Sequence, residues 1–232
     1  MHLYEQYGED LFEHLKGQFA FALVDFSKRK IILARDRVGI CPLHWTQQDN
    51  RVLFGSEIKA LLASGEVAAQ VDPRGLDHMF TFFAMGTRRT MFTGIQSILP
   101  GHYLKIEFRS DGKPAAIVER QYWDLDFPDE GKEDRGISET ALVDEFEAVF
   151  QKSVELRLRA DVPVVSYLSG GVDSAAVLAM ASRIRGEALP SFTIGFDDAK
   201  LDETGKALET ARFIGADPFV VRTNARAISN AY

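Results

Sequence analysis

A single cysteine, Cys41, stands in a chain of 232 residues, so no disulfide can close within it. That usage fits a reducing compartment. No apolar run approaches the roughly 20 residues that a membrane-spanning helix needs. The opening residues also lack the layout of a secretory signal, so a soluble, cytoplasmic chain that contacts no membrane is expected. Basic charge is in short supply: 27 Lys and Arg stand against 34 Asp and Glu, for a net charge of −7. That balance argues against a dedicated nucleic-acid binder. The five histidines show no H-x-x-x-H or Cys/His spacing, so no structural zinc is expected. Internal repeats are missing too.

What is present is an apolar fraction of 46%, ample for a core. His2–Leu15 has helical spacing, with Leu3, Tyr4, Tyr7, Leu11 and Leu15 on one face. Phe19–Phe26 and Ile31–Ala34 flank the charged turn Ser27–Lys30, which predicts an antiparallel hairpin. The chain turns at Gly39, re-enters an extended segment, and turns again over Gln47–Asn50 before Arg51–Gly55. Ser56 is the expected cap of a short helix over Glu57–Leu62. Asp72 caps a second one, with Pro73 at its first position. Gly94–Gly101 reads as a loop, and His102–Phe108 as a strand. Its partner is Val118–Trp123, reached through the hairpin turn Ser110–Lys113. Antiparallel strands followed by helices suggest an α+β module over residues 1–125.

Residues 126–138 are acidic and contain Pro and Gly, the pattern of a linker. Beyond them, over 139–232, strands alternate with helices, which implies a parallel sheet. Ser138 caps a helix carrying Leu142, Phe146, Val149, Phe150, Val154 and Leu158. Val162–Leu168 is a near-continuous apolar run, the signature of a strand buried on both faces. Ser191–Phe196 and Phe219–Val221 are further strands, with Asp202–Ile214 helical between them. Ala225–Asn230 starts another helical pattern just before Ala231 and Tyr232, so both ends read as cut.

The apolar run enters Ser169-Gly170-Gly171-Val172-Asp173-Ser174, and a helical stretch follows from Ala175. Strand, glycine turn and helix start together make an anion site, because the first amides of a helix lack partners and the dipole favours negative charge. Two glycines let the backbone approach a phosphate, and Ser169 and Ser174 add hydroxyl donors. Asp173 makes sense there if a divalent metal bridges it to the phosphates. No G-K-[ST] follows, so this is not a Walker loop. The plain structural alternative is a tight turn with a capping Asp or Ser.

Other residues invite chemistry and get a structural reading. Cys41 near His44 is expected to be a packed thiol, not a nucleophile. Arg35-Asp36-Arg37 is expected to form an ion pair pinning the turn at Gly39. Phe80, Phe82 and Phe83 are expected in a core or domain interface.

The glycine loop resembles the pyrophosphate loop of the ATP-pyrophosphatase superfamily. Taken with the upstream segments, the whole chain resembles an internal piece of a glutamine-hydrolysing asparagine synthetase, a class-II amidotransferase. Gly17–Ala22 is similar to its G-x-F-A-F-A strand, and Ala34–Leu43 to A-R-D-x-x-G-x-x-P-L. Ser56–Leu61 reads S-E-I-K-A-L. Pro100–Leu104 and Tyr122-Trp123 match the inter-domain segment, and Asp161–Ser174 the synthetase half.

The resemblance implies an Ntn-hydrolase-type glutaminase portion that releases ammonia from L-glutamine. It implies a Rossmann-like synthetase portion that uses ATP and Mg2+ to adenylate L-aspartate, through β-aspartyl-AMP, with release of AMP and pyrophosphate. Leu168 and Ile194 would pack against the adenine; Ser169, Gly170, Gly171, Val172, Asp173 and Ser174 would hold the pyrophosphate, with Asp173 near the metal. Asp202-Glu203 resembles an acidic pair of the family, without an assigned role. The family's N-terminal nucleophilic cysteine, its H-R-G, N-G-E and S-D-x-E segments and its later S-G-E-G-x-D-E loop are absent, so this chain alone is expected to complete neither site. Asp217-Pro218 replaces a polar pair of the family. Two readings stay open: an asparagine-synthetase-like cyclase such as a β-lactam synthetase, and a non-catalytic nucleotide-binding remnant. A homodimer is left open as well.

Overall fold

The computed structural model describes residues 1–133 and 136–229. The chain divides into two compact units, Met1–Pro128 and the residues from Asp129 onward.

The first unit opens with α1 (His2–Tyr7), which ends at Gly8 with φ 60°. The expected single helix over His2–Leu15 is therefore two pieces, because residues 8–14 tighten into a 3-10 segment. That segment drives Leu11 and Phe12 into the core, where the Phe12 ring stacks on Tyr103 and Tyr122 with centroids 4.6 and 4.5 Å apart. The strands β1 (Ala20–Asp25) and β2 (Lys30–Arg35) form the expected antiparallel hairpin. Then come β3 (His44–Gln48), β4 (Arg51–Gly55), α2 (Ile58–Leu62) and α3 (Pro73–Phe82). They are followed by β5 (Gln96–Ser97), β6 (His102–Phe108) and β7 (Pro114–Gln121). One antiparallel sheet has the order β1-β2-β6-β7, and a second β4-β3-β5. Ile32, Leu33, Ile98, Leu104 and Ile106 are buried beside them.

Asp72 caps α3 through the N–H of Arg74, and Pro73 takes the first helical position. Ser56 does not cap α2, because the helix starts at Ile58 and puts Glu57 at the cap. The Gly94–Gly101 segment contains β5, which pairs with β3. Phe80, Phe82 and Phe83 are exposed, Phe83 by 86%. On that helix the buried residue is Gly75, pressed against the backbone of Thr90. Close backbone contact, which hydrophobic spacing cannot register, turns the phenylalanine face outward.

The second unit contains α4 (Glu139–Arg157), β8 (Ser166–Tyr167), α5 (Val172–Arg185), β9 (Pro190–Phe196), α6 (Thr204–Ile214), β10 (Asp217–Thr223) and α7 (Ala225–Ser229). Ser138 caps α4 through the N–H of Ala141. The parallel sheet has the order β10-β9-β8. Val154, Leu168, Leu178, Ala181, Ala207 and Ala211 fill its core. Residues 126–133 and 136–138 are exposed and carry neither helix nor strand. Asp134 and Arg135 of the expected linker lie outside the described residues, as do Asn230, Ala231 and Tyr232 at the last expected helix.

Two expectations change here. The apolar run starting at Val162 is not a strand buried on both faces. Only Ser166–Tyr167 pair, at the sheet's edge among the described residues, and Val162 is 70% exposed. The helical stripe of α4 is buried only towards its end, at Val154, while Leu142, Phe146 and Val149 stand in solvent. Apolar character alone does not supply the neighbours that would cover it. The architecture is α+β in the first unit and parallel α/β in the second.

Candidate functional site

The glycine loop follows the edge strand β8 and is tied to the middle strand, β9, of the parallel sheet. Leu168 donates its N–H to Phe192 O at 2.9 Å, and the buried Thr193 hydroxyl donates to Leu168 O at 2.8 Å. Those bonds hold the chain at the point where it leaves the sheet. The loop then folds on itself. Ser174 Oγ accepts the N–H of Ser169 at 3.1 Å and lies 2.9 Å from Ser169 Oγ. Gly171 donates its N–H to Ser169 Oγ at 3.2 Å and occupies the cap position of α5, with no side-chain cap there. Both serines are thus committed to shaping the turn before they meet any ligand.

Gly170 points its N–H outward, and Glu203 Oε2 accepts it at 3.0 Å. The outward amide of the loop is therefore paired with a carboxylate oxygen. A Cβ on Gly170 would lie 3.3 Å from the Cβ atoms of Glu203 and Lys206, a tight fit that would push α6 back by a few tenths of an ångström.

Beside the loop is a cleft of about 220 Å³, lined by Tyr167, Leu168, Ser169, Phe192, Thr193 and Ile194 together with Phe196, Leu201 and Glu203. The fold thus brings Leu168, Ser169 and Ile194 to one place. Ile194 is 51% exposed, whereas Leu168 is 2% exposed and packs in the core cluster of the unit. Val172 and Asp173 lie in the first turn of α5 and are exposed. The Asp173 side chain makes no hydrogen bond or ion pair among the described residues. No group of three or more His, Cys, Asp or Glu could hold a metal ion among the described residues. The donor set thus suits a divalent cation only together with a bound phosphate, because one carboxylate supplies too few of the oxygen ligands such a cation takes.

Sequence reading left the role of Glu203 unassigned. Its contact with Gly170 spans 33 residues and has no local signal. Tyr167, Phe192 and Phe196 were also unmarked, although strand alternation puts Phe192, Ile194 and Phe196 on one face.

In the first unit, Arg35 and Asp36 form no ion pair with each other, which corrects the expected pairing. Arg35 grips carbonyls instead: Cys41 O at 3.1 Å, Ile98 O at 2.8 Å and Gly39 O at 2.7 Å. Asp36, fully buried, accepts the N–H groups of Cys41 at 2.9 Å, Ile40 at 3.0 Å and Phe19 at 3.3 Å. Burial pushes the Asp36 carboxyl up, but those amides outweigh it and hold the group below its ordinary range. Burial also lowers His44, whose Nδ1 lies 3.1 Å from Ser56 O and not at the Cys41 thiol. Cys41 contributes its backbone to both clamps, which agrees with a structural role.

Residues 1–123 match the family described as glutamine amidotransferase domain, and residues 145–232 match asparagine synthase. The chain belongs to the glutamine amidotransferase domain family. Within that family, amidase chyE of Penicillium rubens is 35% identical over 99% of this chain and 35% of its own length. Asparagine synthetase [glutamine-hydrolyzing] 3 of Bacillus subtilis is 38% identical over 78% of this chain and 28% of its own. The chain thus spans about a third of the length of such relatives. A solved glutamine phosphoribosylpyrophosphate amidotransferase from B. subtilis aligns over 94% of the chain with a TM-score of 0.34 and 13% identity. Among the described residues no helix is long and apolar enough to cross a membrane.

Proposed function

We propose that this chain is part of a cytoplasmic, ATP-dependent enzyme that makes asparagine from L-aspartate, with L-glutamine as ammonia donor. In this assignment residues 1–125 belong to the glutaminase portion, 126–138 to a linker and 139–232 to the ATP-binding portion. The observation that carries it is the Gly170 N–H, already bound to an oxyanion at the start of α5, in a chain whose front half is a glutamine amidotransferase.

Gly170, Gly171 and the first amides of α5 hold the pyrophosphate of ATP, where negative charge builds as the aspartate β-carboxylate attacks the α-phosphorus. Ser169 and Ser174 keep the turn in shape through their mutual contact. Ile194, with Phe192 and Tyr167, offers an apolar wall for the adenine, while Leu168 supports that wall from the core. Asp173 would be the carboxylate that meets a Mg2+ ion, which would offset phosphate charge.

The Penicillium rubens relative is named an amidase, not an asparagine synthetase, and a second reading is an asparagine-synthetase-like enzyme that acts on a different carboxylate. One experiment separates the two. In the full-length protein, Asp173→Ala abolishes aspartate-dependent pyrophosphate release and leaves glutaminase activity largely intact. Equal loss of both activities would sink the assigned role. Pyrophosphate release that ignores aspartate but responds to another carboxylate supports the second reading.

A further inference from the structure

Glu203 stands just before α6 yet makes no capping bond to that helix. Its neighbour Asp202 does the local work, accepting the N–H of Thr204 at 3.1 Å and lying 3.6 Å from Arg222. Glu203 is thus left free to reach the Gly170 N–H. Lys206 lies three residues on, its Cβ against the same glycine, and forms no ion pair among the described residues. The Cβ atoms of Glu203, at the cap of α6, and of Lys206, in its first turn, both flank Gly170.

We propose that Glu203 is a latch on the glycine loop. It occupies the Gly170 amide while no phosphate is bound, and moves to Lys206 when a polyanion takes that amide. The proposal rests on the ATP reading given above. Two anions cannot share one N–H, and a carboxylate left beside a phosphate repels it. The incoming group must therefore bind the loop better than a charge-assisted carboxylate does. A di- or triphosphate meets that demand through several oxygens at once. A singly charged anion does not, so the latch restricts the loop to polyphosphates. It also keeps the glycine turn ordered before substrate arrives, at a cost in apparent affinity.

The test is calorimetric titration of inorganic pyrophosphate into the full-length protein, with thermal unfolding as a control for folding. Glu203→Ala is expected to bind pyrophosphate about tenfold more tightly than wild type, on the scale of one charge-assisted hydrogen bond. Glu203→Gln should fall between them, because its amide oxygen accepts from Gly170 without the charge. Lys206→Ala should weaken binding in wild type and have little effect beside Glu203→Ala, a coupling that only the proposed transfer creates. Unchanged or weaker binding in both Glu203 variants overturns the latch and leaves the ATP reading standing. No binding by any of the proteins, with unfolding unchanged, removes the ATP reading and the latch with it.

Discussion

The Thr193 hydroxyl donates to the carbonyl oxygen of Leu168 at 2.8 Å, joining the middle strand β9 to the residue that opens the glycine loop. Thr193 is nearly fully buried and Leu168 lies in the core, so no water is at hand to replace either partner. Thr193→Val keeps the shape and removes the donor. The stability loss expected is about 1–3 kcal/mol, the cost of leaving a buried acceptor unpaired. Thr193→Ser should retain most of it. Urea unfolding of the two variants checks the difference, and equal stability of Val and Thr would show that the bond contributes nothing.

Asp36 sets an acid limb on stability. Its folded pKa lies below the ordinary 3.8, so its contribution is complete above that value and is lost as the pH falls through the folded value. Stability therefore rises with pH across this acidic window. Asp36→Asn should flatten that slope and reduce stability at neutral pH by about 3 kcal/mol, since charged hydrogen bonds are the costly ones to lose. Denaturation midpoints measured from pH 2 to 7 report both effects.

Gly75 offers a test in which two rules disagree. Helix propensity favours alanine over glycine by about 1 kcal/mol inside a helix such as α3. A Cβ there would, however, lie 2.0 Å from Thr90 O and 2.8 Å from the Thr90 carbonyl carbon, both backbone atoms. Gly75→Ala is expected to lower the melting temperature, because the segment behind it cannot yield as a side chain would. Alanine at Gly205, in α6 with open space around it, should be neutral or stabilising. A rise in melting temperature for Gly75→Ala would disprove the close approach.

Much of the first unit was legible because its cues are local. Asp72-Pro73 starts α3, the hairpin turns sit between β1 and β2 and between β6 and β7, and strand β6 runs as expected over His102–Phe108. Each depends on neighbours a few residues apart. The failures depend on partners far along the chain. Val162–Val165 has the composition of a buried strand and, among the described residues, lacks strands on both sides. The Arg35 and Asp36 side chains look like an ion pair in sequence, yet Arg35 donates to carbonyls of the following turn and of Ile98, and Asp36 accepts amides of that turn and of Phe19.

The hairpins of the first unit, the caps of α3 and α4, the parallel character of the second unit and the glycine loop at the start of α5 were determined by the sequence alone. They follow from periodicity, turn chemistry and β-α alternation, all of which act over short spans. Only the tertiary structure decided what the loop faces. It set Glu203 on the Gly170 amide, gathered Tyr167, Phe192 and Ile194 into one cleft, and buried Leu168 beneath it. Those relationships join residues more than twenty positions apart, and their geometry follows from how α6 and β9 pack, which no local pattern encodes.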